Sequence, residues 1–266
     1  MVLRDELNRF LSGLYKFENV EDYCENGLQV EGKEAIEKIL FGVSFNRSFL
    51  EQAIKGKADA VIVHHGIFQQ GVFKLKGTLK QRVKMLLDKN ISLFGIHLPM
   101  DRHPELGHNA LLLSFIGAES IEPFEIGFCG ENVREYSLDR ILEIFHEQLH
   151  PKRFLNSDRE NEHSIFSLSI KHGFKVLGNG PAVPKRMAVI TGESSGYYEK
   201  AIEIGVDTFV SGEIKEKIPS ISYETQTNYV NLGHYFSEKP GVLALKKRIE
   251  ENFDVQTEYI EVPNPV

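Results

Sequence analysis

Residues 60–63, Ala-Val-Ile-Val, form an unbroken apolar run that leads straight into His64 and His65 and is stopped by Gly66. A short run that is apolar on both faces reads as a parallel strand buried on both sides. Other segments repeat the theme: 39–43, 91–97, 186–190 and the stretch from Asp207 read as strands. Between them, 47–57, 79–89, 107–116 and 198–204 carry apolar residues at helical spacing, as do 3–15 and 138–148 elsewhere in the chain. Alternation of this kind predicts an α/β fold with mainly parallel sheets. Around 121–130 the rhythm loosens, which places a lobe boundary there: a first lobe at 1–122 and a second at 123–266. Segments 163–170 and 174–177 read as strands joined by a turn at Lys171-His172-Gly173. Pro219 precedes a weak helical signal, and Pro240 suits the first turn of a closing helix.

Composition excludes several classes. In 266 residues no apolar run approaches the roughly 20 needed to span a bilayer. The first fifteen residues mix charged and apolar side chains and lack a signal peptide's apolar region, so a cytoplasmic location is expected. Two distant cysteines, Cys24 and Cys129, suggest neither a disulfide framework nor a thiolate zinc site. A net charge of −7 argues against nucleic-acid binding through a broad basic surface. Lys246, Lys247 and Arg248 read as the solvated face of a helix near its C-terminal end.

Three of the strands run into histidine: Val63 into His64-His65, Ile96 into His97, and Leu232-Gly233 into His234. In open α/β sheets, ligands bind beyond the carboxyl ends of strands. Neighbouring strand side chains point to opposite faces, so both members of the His64-His65 pair reach one site only if the strand ends between them or turns at Gly66. A carboxylate follows four residues after two of the histidines: Asp101 after His97, and Glu238 after His234. Imidazole with carboxylate suits a first-row divalent metal such as zinc, iron or manganese. These groups outnumber what one catalytic zinc needs and fit two ions sharing a carboxylate, an arrangement suited to hydrolysis. Each residue also has a plainer reading when taken singly. His234 and Glu238 suit a helix start, and Asp101 suits a turn.

Other candidates are weaker. His103 and His108 read as surface loop residues near Asp101, and His146, His150, His163 and His172 as surface or structural groups. Thr191 to Gly196, TGESSG, follows a strand and has the composition of an anion-cradling turn, although a plain turn is the simpler reading. No G-x-S-x-G, phosphate loop or dinucleotide fingerprint is present. Lys215 and Lys217 read as solvated surface lysines.

In order along the chain stand ENGLQV, VIVHHGIF, HLPMDRHPELGHNALL, ITGESSGY, DTFVSGEI, LGHYFSEKPGVLAL and the terminal VPNPV. In these motifs the sequence resembles, over nearly its whole length, the NIF-three-like family of dinuclear-metal proteins, the GTP cyclohydrolase 1 type 2 homologues. The resemblance implies that His64, His65, Asp101, His234 and Glu238 are the metal ligands, with Glu238 contacting two divalent ions. His97 would orient a ligand by hydrogen bonding. It also implies two interlinked α/β lobes with the metals in the cleft between them, the segment 228–266 returning ligands to that cleft, and a ring-like homohexamer. Some relatives carry an inserted middle domain, which a chain of 266 residues is expected to lack. Departures from the family pattern fall at Gln69, Glu193 and His108, none of them a proposed ligand.

Two functions follow as expectations. One is a metal-dependent hydrolase acting on a nucleotide or related small substrate. The other is a non-enzymatic metal-binding or regulatory scaffold.

Overall fold

Residues 1–68, 74–149, 159–160 and 168–264 are described by a computed structural model. Gln69, His150 and His163 lie outside them. The chain is mixed α/β and divides into two units, Met1–Leu106 with Gly241–Pro263, and a second built on Gly107–Pro240.

The first unit carries a five-stranded sheet in the order Gln256–Tyr259, Lys38–Ser44, Ala60–His65, Ser92–Gly95, Gly27–Val30. The first four strands run parallel and the last antiparallel. Ser92–Gly95 is buried throughout and Ala60–His65 as far as His64, as the continuous apolar runs require. Helix Arg47–Lys55 begins where the Asn46 side chain accepts the Phe49 N–H at 2.9 Å, an N-cap. Its Phe49, Leu50 and Ala53 pack with Leu40, Val61, Leu86 and Leu93 into one core. Helices Arg4–Tyr15, Gly77–Lys89 and Pro240–Asn252 complete this unit's longer elements, with a single turn at Leu98–Asp101.

Register decides which residues of this sheet meet. Val63 pairs with Gly95 and Ser44 with His65. The strand therefore continues through both histidines instead of ending between them. Carrying the parallel register forward sets Ile96 beside His64 and His97 beside His65, and the Ile96 N–H donates to the Val63 carbonyl at 3.0 Å. The strand ends at His65 and the chain bends at Ile67, just past Gly66. Gly66 also permits close approach, since a Cβ there would lie 2.2 Å from Gln29 Oε1, which accepts the Ile67 N–H at 2.7 Å.

The second unit holds, among the described residues, an eight-stranded sheet. Its centre is parallel: Arg186–Ile190, Thr208–Ser211 and Asn228–Asn231. Antiparallel strands flank that centre on both sides. Leu168–Lys171 and Phe174–Gly178 form a hairpin with His172 at φ 50° and Gly173 at φ 87°. Two consecutive positive φ values match the tight turn that suits strand twist. Cys129, Ala188, Ile190, Tyr198, Phe209 and Tyr229 are among the residues of its core.

The division falls at Leu106–Gly107, earlier than the expected 122. The loosened stretch is a hairpin, Glu119–Phe124 with Gly127–Glu131, and its second strand pairs with Arg186–Ile190. That pairing binds it to the second sheet. The chain end also sorts differently from 123–266, because Gln256–Tyr259 pairs with Lys38–Ser44 of the first sheet. Among the described residues no helix is long and apolar enough to cross a membrane.

Candidate metal centre

Each unit gathers its own cluster of imidazoles and carboxylates. In the first, the ring centroids of His64 and His65 lie 4.4 Å apart, and those of His97 lie 5.1 and 5.5 Å from them. Ligand atoms of these three histidines all fall within 4.8 Å of one another, a spacing that could hold a metal ion. His64 is 1% exposed and Asp101 5%. The Ile96 carbonyl, 2.9 Å from His64 Nδ1, can only accept, so Nδ1 carries the hydrogen. In the neutral ring Nε2 then bears the lone pair, and it stands 3.6 Å from Asp101 Oδ2. The single turn Leu98–Asp101, starting just after His97, brings Asp101 back to the strand ends.

His97 is fixed by a residue that strand-end spacing did not single out. Asp22 Oδ1 accepts from His97 Nδ1 at 2.9 Å and from the Cys24 N–H at 3.0 Å. Its Oδ2 accepts from the Leu98 N–H and from Asn26 Nδ2, each at 2.9 Å. Burial alone would raise the Asp22 carboxyl, but the His97 and Asn26 bonds outweigh it and hold the group below its ordinary value. Asn26 Oδ1 accepts the His97 N–H at 2.7 Å, so the ENG motif clamps the backbone at this strand end. Cys24 lies close to Asp22 and His97. Burial, with the charges of Asp22 and Asp101, pushes its thiol up to about 12.

In the second unit Gly233, at φ 84°, turns the chain out of strand Asn228–Asn231 into a one-turn helix, His234–Ser237. His234 and Glu238, four residues apart, therefore share a face. His234 Nε2 is 3.1 Å from Glu238 Oε1, and its Nδ1 is 2.7 Å from Glu213 Oε1. Glu213 follows strand Thr208–Ser211, and the Tyr229 hydroxyl donates to its backbone carbonyl at 2.6 Å. Burial disfavours a charged His234, yet Glu238 and Glu213 outweigh it and raise the group to about 9. A divalent cation at His234 Nε2 would compete with the proton held there against Glu238.

Gly192 marks room for such an ion. It sits at φ +63°, and a Cβ there would lie 2.4 Å from Glu238 Oε1 and 3.4 Å from His234 Nε2. Its N–H donates to Ser237 Oγ at 3.2 Å. A cradle that a single methyl group would fill, lined by imidazole and carboxylate, fits a first-row metal by donor chemistry.

The remaining candidates sort by their contacts. Ser194 of the TGESSG turn faces inward, 2.7 Å from Ser211 Oγ. Lys215 pairs with Glu193 at 2.5 Å, and Lys217 pairs with Glu199. His103 accepts the Leu106 N–H at 3.0 Å and packs edge-on against Tyr15. His108, expected on a surface loop, is fully buried in helix His108–Phe115, because that helix packs on the second sheet. His146 and His172 bond each other's region and Asp139 at the surface. Glu213 and Asp22 are the site residues that sequence reasoning missed. Glu213 carries the same signal as the histidines, a polar residue just past a strand end. Asp22 carries none, since its partners are distant in sequence.

Residues 2–265 match the family described as Duf34/NIF3 (NGG1p interacting factor 3). An Escherichia coli protein named GTP cyclohydrolase 1 type 2 homolog is 34% identical over 264 residues, covering 98% of each chain. A Haemophilus influenzae protein of the same name is 30% identical over 261 residues, again 98% of each. Among solved structures, protein ybgI, described as of unknown function, matches with a TM-score of 0.85 at 32% identity over 100% of both chains. TTHA1606 from Thermus thermophilus also reaches 0.85, at 25% identity over 100% of both. With its whole described length matched in sequence and in fold, this chain belongs to the DUF34/NIF3 family.

Proposed function

We propose that this chain is a metal-dependent hydrolase in which His64, His65, Asp101, His234 and Glu238 hold two divalent ions of zinc, iron or manganese. Glu238 would contact both ions, and the substrate would be a nucleotide or a related small molecule. One observation carries the reading: in each unit an imidazole anchored at Nδ1 presents Nε2 to a buried carboxylate. Anchoring of this kind fixes the tautomer and the ring orientation of a metal-binding histidine. Divalent ions in such a place supply Lewis acidity and acidify water.

The chain's own groups prepare the site. The Ile96 carbonyl orients His64, and the Glu213 carboxylate orients His234 and raises its basicity. Asp22 holds the His97 ring beside His64 and His65. Gly192 keeps a Cβ from pressing on the buried Glu238 carboxylate. The relatives' name points to hydrolytic opening of a ring of GTP. A ring-like homohexamer belongs to the same proposal, and light scattering that returns one or two chain masses would remove it.

The test is metal per subunit, by elemental analysis of protein purified without chelator, beside a His65→Ala, Glu238→Ala double variant. About two equivalents of one transition metal, lost in the variant, are expected. Little metal in the wild type after reloading sinks the reading. The family description names an interacting factor, which favours a second reading as a non-enzymatic scaffold. Fully loaded protein that yields neither formate nor a ring-opened product from GTP, and turns over no other nucleotide, would select it.

A further inference from the structure

A cavity of about 440 Å³ opens in the first unit, and none of the proposed metal ligands lines it. Its volume falls in the range of small-molecule sites. Three cationic side chains, Lys16, Arg102 and Arg248, share its wall with one acid, Glu105. The whole chain carries a net charge of −7, so a concave wall with a cationic excess is a local reversal that concentrates anions.

The three cations reach the cavity from separate parts of the chain. Arg248 comes from helix Pro240–Asn252, and its contact with Glu251 is long, 3.7 Å, and partly exposed. Arg102 ends the turn Leu98–Asp101. Lys16 ends helix Arg4–Tyr15 in the left-handed conformation, φ 49°, where glycine is the usual residue. A lysine there retains its side chain at a backbone cost of about 1 kcal/mol.

Tyr15, 3% exposed, is also in the wall, and its hydroxyl has no hydrogen-bond partner. Burial pushes that hydroxyl well above the ordinary phenol range, and the nearby Arg248 charge opposes the shift. A buried hydroxyl left without a partner is unfavourable, and an anion seated beside Arg248 would offer it an acceptor. Leu14, Val20, Pro99 and Pro104 supply apolar wall for an organic body.

We propose that this cavity binds the phosphate monoester group of a small organic molecule. The charge balance selects phosphate over carboxylate. Three cations against one acid complement a group that carries about −1.5 to −2 at neutral pH, whereas a carboxylate carries −1. Arginine forks and a lysine point charge are the side chains that bind phosphate best.

The test is calorimetric titration of the full chain, as purified and metal-loaded, with phenyl phosphate, benzoate and inorganic phosphate. Phenyl phosphate is expected to bind saturably with a Kd below about 1 mM, and benzoate at least about tenfold more weakly. Arg248→Ala and Lys16→Ala should each weaken phenyl phosphate about fivefold or more. Lys16 is exposed, so its variant tests the site even if Arg248→Ala disturbs folding. Tyr15→Phe should lower affinity without lowering the melting temperature, since it removes a hydroxyl that bonds to nothing. Binding should persist in the His65→Ala, Glu238→Ala variant. No saturable binding at 10 mM phenyl phosphate (about the limit of weak affinity), or affinity unchanged in both cation variants, overturns the site. Loss of binding in the metal-ligand variant also overturns it, by moving the phosphate to the metals. Benzoate binding as tightly as phenyl phosphate refutes the assignment to phosphate.

Discussion

Replacing Gly192 with alanine adds one methyl group, and its position follows from the backbone. The new Cβ falls 2.4 Å from Glu238 Oε1, where ordinary contact begins at 3.4 Å. The carboxylate oxygen must therefore retreat by about 1 Å. Metal–oxygen bonds of about 2.0–2.2 Å do not survive a displacement of that size. The backbone adds a second penalty, because φ +63° costs a non-glycine residue about 1–2 kcal/mol. Glu238 is 3% exposed, so its retreat has little free space to use. Together these effects predict a metal-free protein about 2–4 kcal/mol less stable. Metal affinity should fall at least about 100-fold. Denaturant unfolding in chelator measures the first quantity, and competition against a chromophoric chelator the second. Two controls separate the causes. Gly205, at φ +83°, has nothing within 4 Å of where a Cβ would stand, so its change to alanine reports backbone strain alone. Gly196, also with open space and no such φ, should tolerate alanine with no loss. A Gly192→Ala protein that binds metal like the wild type, and is no less stable than Gly205→Ala, would refute the reasoning.

Glu213→Gln should lower metal affinity about 10–100-fold with little change in metal-free stability, because a neutral amide orients His234 less strongly; the same chelator competition checks it. Asp59 accepts the N–H groups of Glu37 and Lys38 and pairs with Lys33 at 2.7 Å. Burial would raise its carboxyl, but these partners outweigh it and depress the folded-state value. Its stabilisation is therefore complete above the unfolded pKa of about 4 and fades as pH falls through the lower folded value. Unfolding curves should show Asp59→Asn about 1–2 kcal/mol less stable near neutral pH, with the gap closing in acid; a gap that widens in acid contradicts the sign. In the metal-free chain Cys24 and Cys129 are held at about 12 and about 11, burial being the largest cause in each. At pH 8 both are almost wholly thiol, so iodoacetamide should modify neither at the rate of a free cysteine. Mass spectrometry would show rapid alkylation if either were thiolate.

Much of the first unit was legible because its signals are local. Ala60–Val63 is apolar on both faces, and its shortness, its β-branched residues and the Gly66 that follows favour a central strand over a buried helix. Helix Arg47–Lys55 could be read from Phe49, Leu50 and Ala53, which recur at the helical period, and Asn46 marks its start. The 121–130 stretch was not legible as a hairpin. Its outer strand, Glu119–Phe124, is largely exposed, so no buried face imposes alternation on the sequence. The chain does bend just past Gly66, but the close approach that Gly66 permits was not legible, since it depends on Gln29, a residue of another strand.

The site divides in the same way. Histidines at three strand ends, and carboxylates four residues later, are spacings that a chain carries in one dimension. From them His64, His65, His97, Asp101, His234 and Glu238 could be named as candidates, and it is the resemblance that implies the narrower set without His97. That His234 and Glu238 share a helical face follows from a separation of four residues. The groups that orient these side chains were invisible, because Asp22 meets His97 across 75 residues and Glu213 meets His234 across 21. The parallel register, with Val63 against Gly95, is what sets His97 level with His65. Packing likewise turns Gly192 from a loop glycine into the residue whose missing side chain spares the buried Glu238 carboxylate a steric clash. Local sequence dictates which chemical groups stand at the ends of the strands, since periodicity and spacing are local properties. The partners that fix their tautomers, their charges and the room for an ion come from folding, which brings together residues that no local pattern connects.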